Sequence, residues 1–62
     1  MPFISIKIAK GRTLDQKRKL LQAVTEAVST SVNVAPEKIW IQIDEFEKEN
    51  FATGGQMMLD KK

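Results

Sequence analysis

The chain has 62 residues and a formal net charge of +2, from ten lysines and arginines against eight aspartates and glutamates. It contains no cysteine and no histidine, which excludes disulfides and the commonest transition-metal ligand and favours a reducing compartment, the cytoplasm. The balanced charge argues against a nucleic-acid binder, and no apolar run approaches the roughly 20 residues of a membrane span. A domain this short leaves much of its surface exposed, so we expect partner subunits to stabilise it.

The first predicted element is a strand over residues 2–9. Polarity alternates along this stretch, which is the period-two pattern of a half-buried strand. One face carries Ile4, Ile6 and Ile8, and the other carries Phe3, Ser5 and Lys7. Gly11 ends the pattern.

A helix is predicted from about residue 14 to residue 32. Thr13 and Gln16 have the spacing of a capping box, which marks a helix start. The apolar residues then recur every three or four positions, as in an amphipathic helix: Leu20, Leu21, Val24, Ala27, Val28 and Val32. Asn33 and Pro36 end the helix, because proline cannot continue its hydrogen-bond ladder.

A second strand is predicted at residues 39–45, where polarity alternates again. Its isoleucine face carries Ile39, Ile41 and Ile43, opposite Trp40, Gln42 and Asp44. Residues 46–50 are charged and are predicted to form a loop. Gly54-Gly55 then predicts a tight turn, followed by a short final strand at residues 57–59.

These elements predict a single α/β domain over residues 1–62. Strand, helix and strand form a β-α-β unit with parallel strands, and a short C-terminal hairpin follows. The isoleucine faces of both strands can pack against the helix. The opposite sheet face, which carries Phe3 and Trp40, has no cover, although parallel sheets are normally covered on both faces. We therefore expect oligomerisation to complete the fold.

The residue inventory limits the possible chemistry. Without histidine, cysteine or tyrosine, the chain cannot build a Ser–His or Cys–His nucleophile or a Cys/His zinc site. The carboxylates between Asp44 and Glu49 single out no acid–base pair, and a solvated loop is their better interpretation.

The N-terminus offers a different base. Aminopeptidases remove an initiator methionine before a small residue, and removal of Met1 would turn Pro2 into a secondary amine. Desolvation and a nearby cation would lower the pKa of that amine towards neutrality, as a general base requires. Taken alone, however, Pro2 is better explained as the start of an edge strand, where proline is tolerated.

Several short motifs follow one another along the chain: Met1-Pro2 before a strand, Gly11-Arg12, Asp15-Gln16-Lys17, Val24-Thr25-Glu26-Ala27, the 39–45 strand, and Asn50-Phe51-Ala52-Thr53-Gly54-Gly55. Each is unspecific, but their order and spacing cover essentially the whole chain and resemble the 4-oxalocrotonate tautomerase family. The resemblance implies a β-α-β subunit assembled as a homohexamer. It also implies isomerisation of small unsaturated 2-hydroxy or 2-oxo acids, without cofactor or metal.

The resemblance further implies roles for individual residues. Pro2 would take a proton from the enol and return it to a distant carbon, and Arg12 would bind a substrate carboxylate across a subunit interface. Phe51 matches the aromatic residue that keeps the pocket apolar. Trp40 is at the position of the family's second arginine. Because tryptophan has no positive charge to bind a second carboxylate, efficient use of the family's dicarboxylate substrate is not expected. Trp40 would then stack on a monocarboxylate or aryl enol, or simply pack in an interface.

Two other functions remain open at this stage. A non-catalytic oligomeric module that binds a small acid would account for the missing second arginine. A related hydratase or dehalogenase would use the same site with an activated water. A chain that retains Met1 should be inactive as a tautomerase, because the Pro2 nitrogen is then a tertiary amide.

Overall fold

The computed structural model describes residues 1–61 and confirms the predicted α/β fold. Its helix and strands are β1 (Phe3–Ala9), α1 (Leu14–Val32), β2 (Trp40–Phe46), β3 (Ala52–Thr53) and β4 (Gln56–Met57). Single 3₁₀ turns occupy Pro36–Lys38, Lys48–Asn50 and Met58–Asp60. Strands β1 and β2 pair in parallel, and β3 and β4 form a small antiparallel hairpin.

The register of the parallel pair runs from Phe3 opposite Trp40 to Ala9 opposite Phe46. Because partners in a parallel pair share a face, the isoleucines of both strands lie on one side of the sheet. All of them are half-buried: Ile4, Ile6, Ile8, Ile41 and Ile43. Phe3 and Trp40 lie on the opposite face, as predicted.

Helix α1 begins and ends as the sequence predicts. The Gln16 backbone N–H donates to Thr13 Oγ1 over 3.1 Å, and the Thr13 N–H donates to Gln16 Oε1 over 2.9 Å. Asn33 ends the helix in the left-handed conformation, with φ of 58°. An ion pair of 2.6 Å between Lys17 Nζ and Glu45 Oε1 joins the helix to β2, which fixes Glu45 on the helix side of the sheet.

The predicted apolar face of α1 is partly wrong. Ala27 and Val32 are exposed, whereas Thr25 and Ser29 are half-buried. The Ser29 hydroxyl donates to the Val34 carbonyl over 2.7 Å, so a polar residue near the helix end is satisfied by the chain that leaves it. The packed face is therefore rotated towards Thr25 and Ser29.

The bounds of three predicted strands also change, and β1 begins at Phe3 instead of at residue 2. Strand β2 begins at Trp40, because the Ile39 N–H bonds the Pro36 carbonyl within a 3₁₀ turn instead of entering the ladder. At its other end the strand includes Phe46, which pairs with Ala9. The final strand, predicted at residues 57–59, is Gln56–Met57 instead. From Met58 the chain forms a 3₁₀ turn that closes with the Lys61 N–H on the Met58 carbonyl.

The predicted turn of the hairpin is confirmed. Gly54 and Gly55 have φ of 59° and 80°, and the Thr53–Gln56 pair closes directly around them. Two successive positive φ angles define the turn that suits the twist of a two-residue hairpin, and glycine adopts them without a steric penalty.

A single copy of the chain has almost no core. Among residues 1–61, Ile39 is the one buried hydrophobic residue, at 9% exposure. The radius of gyration is 14.6 Å, whereas a compact domain of this length would have about 11 Å. Large apolar side chains remain exposed instead: Met1, Phe3, Leu14, Val32, Trp40, Phe51, Met57 and Leu59. Such a surface is typical of a subunit that folds with partners.

We therefore expect the thermal midpoint of unfolding to rise with protein concentration. Association with other copies stabilises only the folded chain, so mass action links the midpoint to concentration. Calorimetry over about a hundredfold range of concentration measures this effect. A midpoint that stays constant while sedimentation reports a monomer would contradict a partner-dependent fold.

Within residues 1–61, no helix is both long and apolar enough to cross a membrane.

Candidate active site

Pro2 lies at the open end of β1, immediately before the first strand residue. It is half-buried, and its carbonyl accepts a hydrogen bond of 3.0 Å from the Trp40 N–H. This bond fixes the backbone of Pro2 to β2. Met1 beyond it is 80% exposed. In the chain that carries Met1, the Pro2 nitrogen is an amide and has no basic lone pair.

Trp40 and Phe3 form an aromatic pair beside Pro2. Their ring centroids are 6.2 Å apart with planes at 66°, which is an edge-to-face contact. The two residues are 53% and 60% exposed on the sheet face that the helix leaves uncovered. Trp40 therefore presents an apolar ring, with an indole N–H as its only donor, close to the N-terminus.

An open groove of about 450 Å³ also lies at this end of the sheet. It is lined by Met1, Asn33, Val34, Ala35 and Lys38. Sequence reasoning missed Lys38, because a lysine between a proline turn and a strand resembles an ordinary solvated charge. We call Pro2, Lys38 and Trp40 the amine end of the subunit.

Arg12 lies at the other end of β1. This strand has seven residues, and at about 3.3 Å per residue it separates the two ends by about 23 Å. One copy of the chain therefore does not bring Arg12 to Pro2. Arg12 is exposed and lines a groove of about 230 Å³ with Ile8, Gln16, Lys17 and Leu20.

The charges around Arg12 leave its guanidinium available. Lys10 lies 2.6 Å from Glu47, and this hydrogen bond, reinforced by the carboxylate charge, raises the pKa of Lys10 above its ordinary value. Lys17 is paired with Glu45. Within residues 1–61, Arg12 itself makes no ion pair. An anion that enters this groove would therefore meet an unneutralised arginine.

Phe51 lies at the same end of the sheet as Arg12. Its ring stacks on Phe46 with centroids 5.2 Å apart, and Phe46 ends β2 where the Lys10 N–H bonds its carbonyl. Phe51 remains 42% exposed. We call Arg12 and Phe51 the arginine end. Each subunit thus carries two incomplete halves of the predicted site, one at each end of the sheet.

The described residues offer no metal centre. Within residues 1–61, no three carboxylates lie together in a group that could hold a metal ion.

The family model described as "Tautomerase enzyme" matches residues 2–61. The chain is 40% identical over 60 residues to 2-hydroxymuconate tautomerase of Bacillus subtilis strain 168, with 97% of each chain covered. The chain therefore belongs to the tautomerase family, and it is an enzyme of the kind that its tautomerase relatives represent, an isomerase.

Solved structures agree with this assignment. The crystal structure of YwhB, a homologue of 4-oxalocrotonate tautomerase, superposes with a TM-score of 0.94 at 38% identity, covering 98% of this chain and 100% of that one. A structure from work on trans-3-chloroacrylic acid dehalogenase activity superposes with a TM-score of 0.83 at 34% identity, covering 90% and 97%. The same fold thus occurs in relatives described by different chemistries.

Proposed function

We propose that the amine of Pro2, freed by removal of Met1, is the general base of a tautomerase. Its substrates are small unsaturated 2-hydroxy or 2-oxo acids, which it interconverts between enol and keto forms. The observation that carries this proposal is the half-buried position of Pro2 at the open end of β1. The chain has no histidine, cysteine or tyrosine to take the same role, and its cysteine-free composition suits the cytoplasm.

The reaction needs one group that both accepts and donates a proton. The neutral amine takes the proton of the 2-hydroxyl, the oxygen becomes a carbonyl, and the conjugated double bonds shift by one position along the chain. The resulting ammonium then gives a proton to the distant carbon, which restores the neutral amine. No other reactant is consumed in this cycle.

The amine must be neutral near physiological pH to begin the cycle. An ordinary α-amino group titrates at about 7.7–8.0, and a secondary amine is more basic. Partial burial beside Trp40 and Phe3 disfavours the charged form, as does a cation brought close by assembly. Both effects lower the pKa of the amine.

Assembly is part of the proposal, because Arg12 and Phe51 lie at the opposite end of β1 from Pro2, and this seven-residue strand is about 23 Å long. We propose a homohexamer in which neighbouring subunits bring their arginine ends to the amine end. Arg12 then grips a substrate carboxylate with its planar guanidinium, and Phe51 keeps water from the amine. The exposed apolar residues of the lone subunit support such an assembly.

The direct test is ketonisation of 2-hydroxymuconate by the wild-type chain with Met1 removed, compared with Arg12→Gln. We expect catalysis by the wild type and a loss in kcat/KM of about tenfold to a hundredfold in the variant, since a hydrogen bond to a charged group is worth about 1.5–3 kcal/mol. Arg18→Gln is the matched control, because Arg18 lies on the solvent side of α1 and pairs with Asp15. A wild-type rate equal to that of buffer would overturn the proposal for this substrate.

A second activity is favoured by the relative associated with trans-3-chloroacrylic acid dehalogenase activity. The same amine and arginine would then act on an unsaturated acid with the help of an activated water. Chloride release from trans-3-chloroacrylate tests this directly. Binding of acids without turnover of either substrate would instead favour a non-catalytic module.

A further inference from the structure

We propose that Lys38 is a second carboxylate-binding residue, which lets the site accept unsaturated dicarboxylates although Trp40 carries no charge. The inference rests on the proposed function, since it concerns the same amine site. It assigns Lys38 to one side of the amine and Arg12 of a neighbouring subunit to the other.

Lys38 lies at the same end of the sheet as Met1. The parallel ladder begins at the pair Phe3 and Trp40, and Met1 and Lys38 each lie two residues before that first pair. The groove of about 450 Å³ at this end is lined by both residues. Removal of Met1 therefore exposes the new amine at the groove that Lys38 lines.

The backbone holds Lys38 in place. Its N–H donates to the Ala35 carbonyl over 3.0 Å, and the next residue, Ile39, is buried and bonded to the Pro36 carbonyl. Because the Ile39 side chain is buried in the small core, the backbone positions of its neighbours Lys38 and Trp40 are fixed as well. Lys38 thus has a long, flexible side chain that ends in an ammonium group, and its backbone belongs to a hydrogen-bonded 3₁₀ turn.

The charge of Lys38 is not neutralised within the subunit. Four cations form ion pairs within residues 1–61, and Lys38 is not among them: Lys7 with Asp44, Lys10 with Glu47, Lys17 with Glu45, and Arg18 with Asp15. No carboxylate side chain is among the five residues that line the groove within the described chain. An anionic ligand that enters the groove would therefore find the Lys38 ammonium group without a competing ion pair from the described residues of the same subunit.

Binding of muconate, (2E,4E)-hexa-2,4-dienedioate, tests the inference without turnover, since this acid has two carboxylates and no enol. Titration of the processed chain, followed by NMR or calorimetry, gives Kd for the wild type and for Lys38→Gln. We expect muconate to bind about tenfold more weakly to the variant, the size of one charge-assisted contact. Muconate diamide should bind both chains equally, and Lys38→Arg should retain most of the affinity for the acid.

Lys19→Gln is the matched control, because Lys19 is exposed on α1 and likewise makes no ion pair within the described chain. Equal muconate affinities for Lys38→Gln and the wild type would overturn the inference, as would equal weakening by Lys19→Gln. Kinetics of the ketonisation reaction separate this result from failure of the proposed function. If Lys38→Gln leaves KM unchanged in that reaction while Pro2→Ala abolishes turnover, the role of Lys38 is wrong and the tautomerase mechanism stands.

Discussion

Replacing Pro2 by alanine is expected to lower kcat/KM for ketonisation of 2-hydroxymuconate by at least about 10²-fold, the low end of what a general base contributes. The variant still begins with an amine after Met1 is removed. That amine is primary and lacks the ring that fixes the backbone dihedral φ near −65°. Both the basicity of the amine and the orientation of its lone pair at the start of β1 therefore change.

The assembly of the Pro2→Ala chain should survive, because the contact that holds residue 2 to β2 uses its carbonyl and the Trp40 N–H. Sedimentation of both chains is the control, and mass spectrometry confirms that Met1 is absent from each. Equal rates in two correctly assembled chains would show that the amine of Pro2 is not the base for this reaction.

Retention of Met1 is expected to abolish tautomerase activity altogether. With Met1 attached, the Pro2 nitrogen shares its lone pair with a carbonyl and cannot accept a proton near neutral pH. Met1 also lines the groove that Lys38 lines. The loss should therefore be at least as large as for Pro2→Ala, within the 10²–10⁴-fold range of a general base or beyond it.

A chain this short can be made by chemical synthesis, which gives a matched pair that differs only in Met1. The full sequence and the sequence from residue 2 onwards are folded and assembled in parallel, and their ketonisation rates are compared. Activity of the Met1-bearing chain within a few-fold of the shorter one would exclude the free amine as the base. Conversion of the inactive chain by a methionine aminopeptidase should restore the rate.

The local elements were predictable because each has a local cause. Helix α1 begins at its capping box and ends at Asn33, and both signals lie within a few residues of the boundary. The turn at Gly54-Gly55 follows from the φ angles that glycine alone adopts easily. The boundaries that moved depend on contacts between elements: the 3₁₀ turns after Pro36 and Met57 compete with the strands for the same backbone N–H groups.

The candidate site was predictable only in part. The residue inventory and the family resemblance identified four candidate residues: Pro2, Arg12, Phe51 and Trp40. Their division between two ends of the subunit depends on the extended geometry of β1, a strand about 23 Å long with Pro2 before it and Arg12 after it. Lys38 was not predicted from the sequence. A single lysine in a turn has no sequence pattern that distinguishes a ligand-binding side chain from a solvent-exposed one.

The sequence by itself determined the β-α-β order and the parallel strands, because polarity patterns and capping residues act locally. Chain length, an overall property, led to the expectation of partner subunits. Only the tertiary structure decided which side chains share a groove. That choice depends on strand pairing, because the pairing of Phe3 with Trp40 brings together the segments that precede both strands, and Met1 and Lys38 line one groove there. A shift of the register by one residue would move every side chain of the strand to the other face of the sheet, and these residues would no longer line one groove.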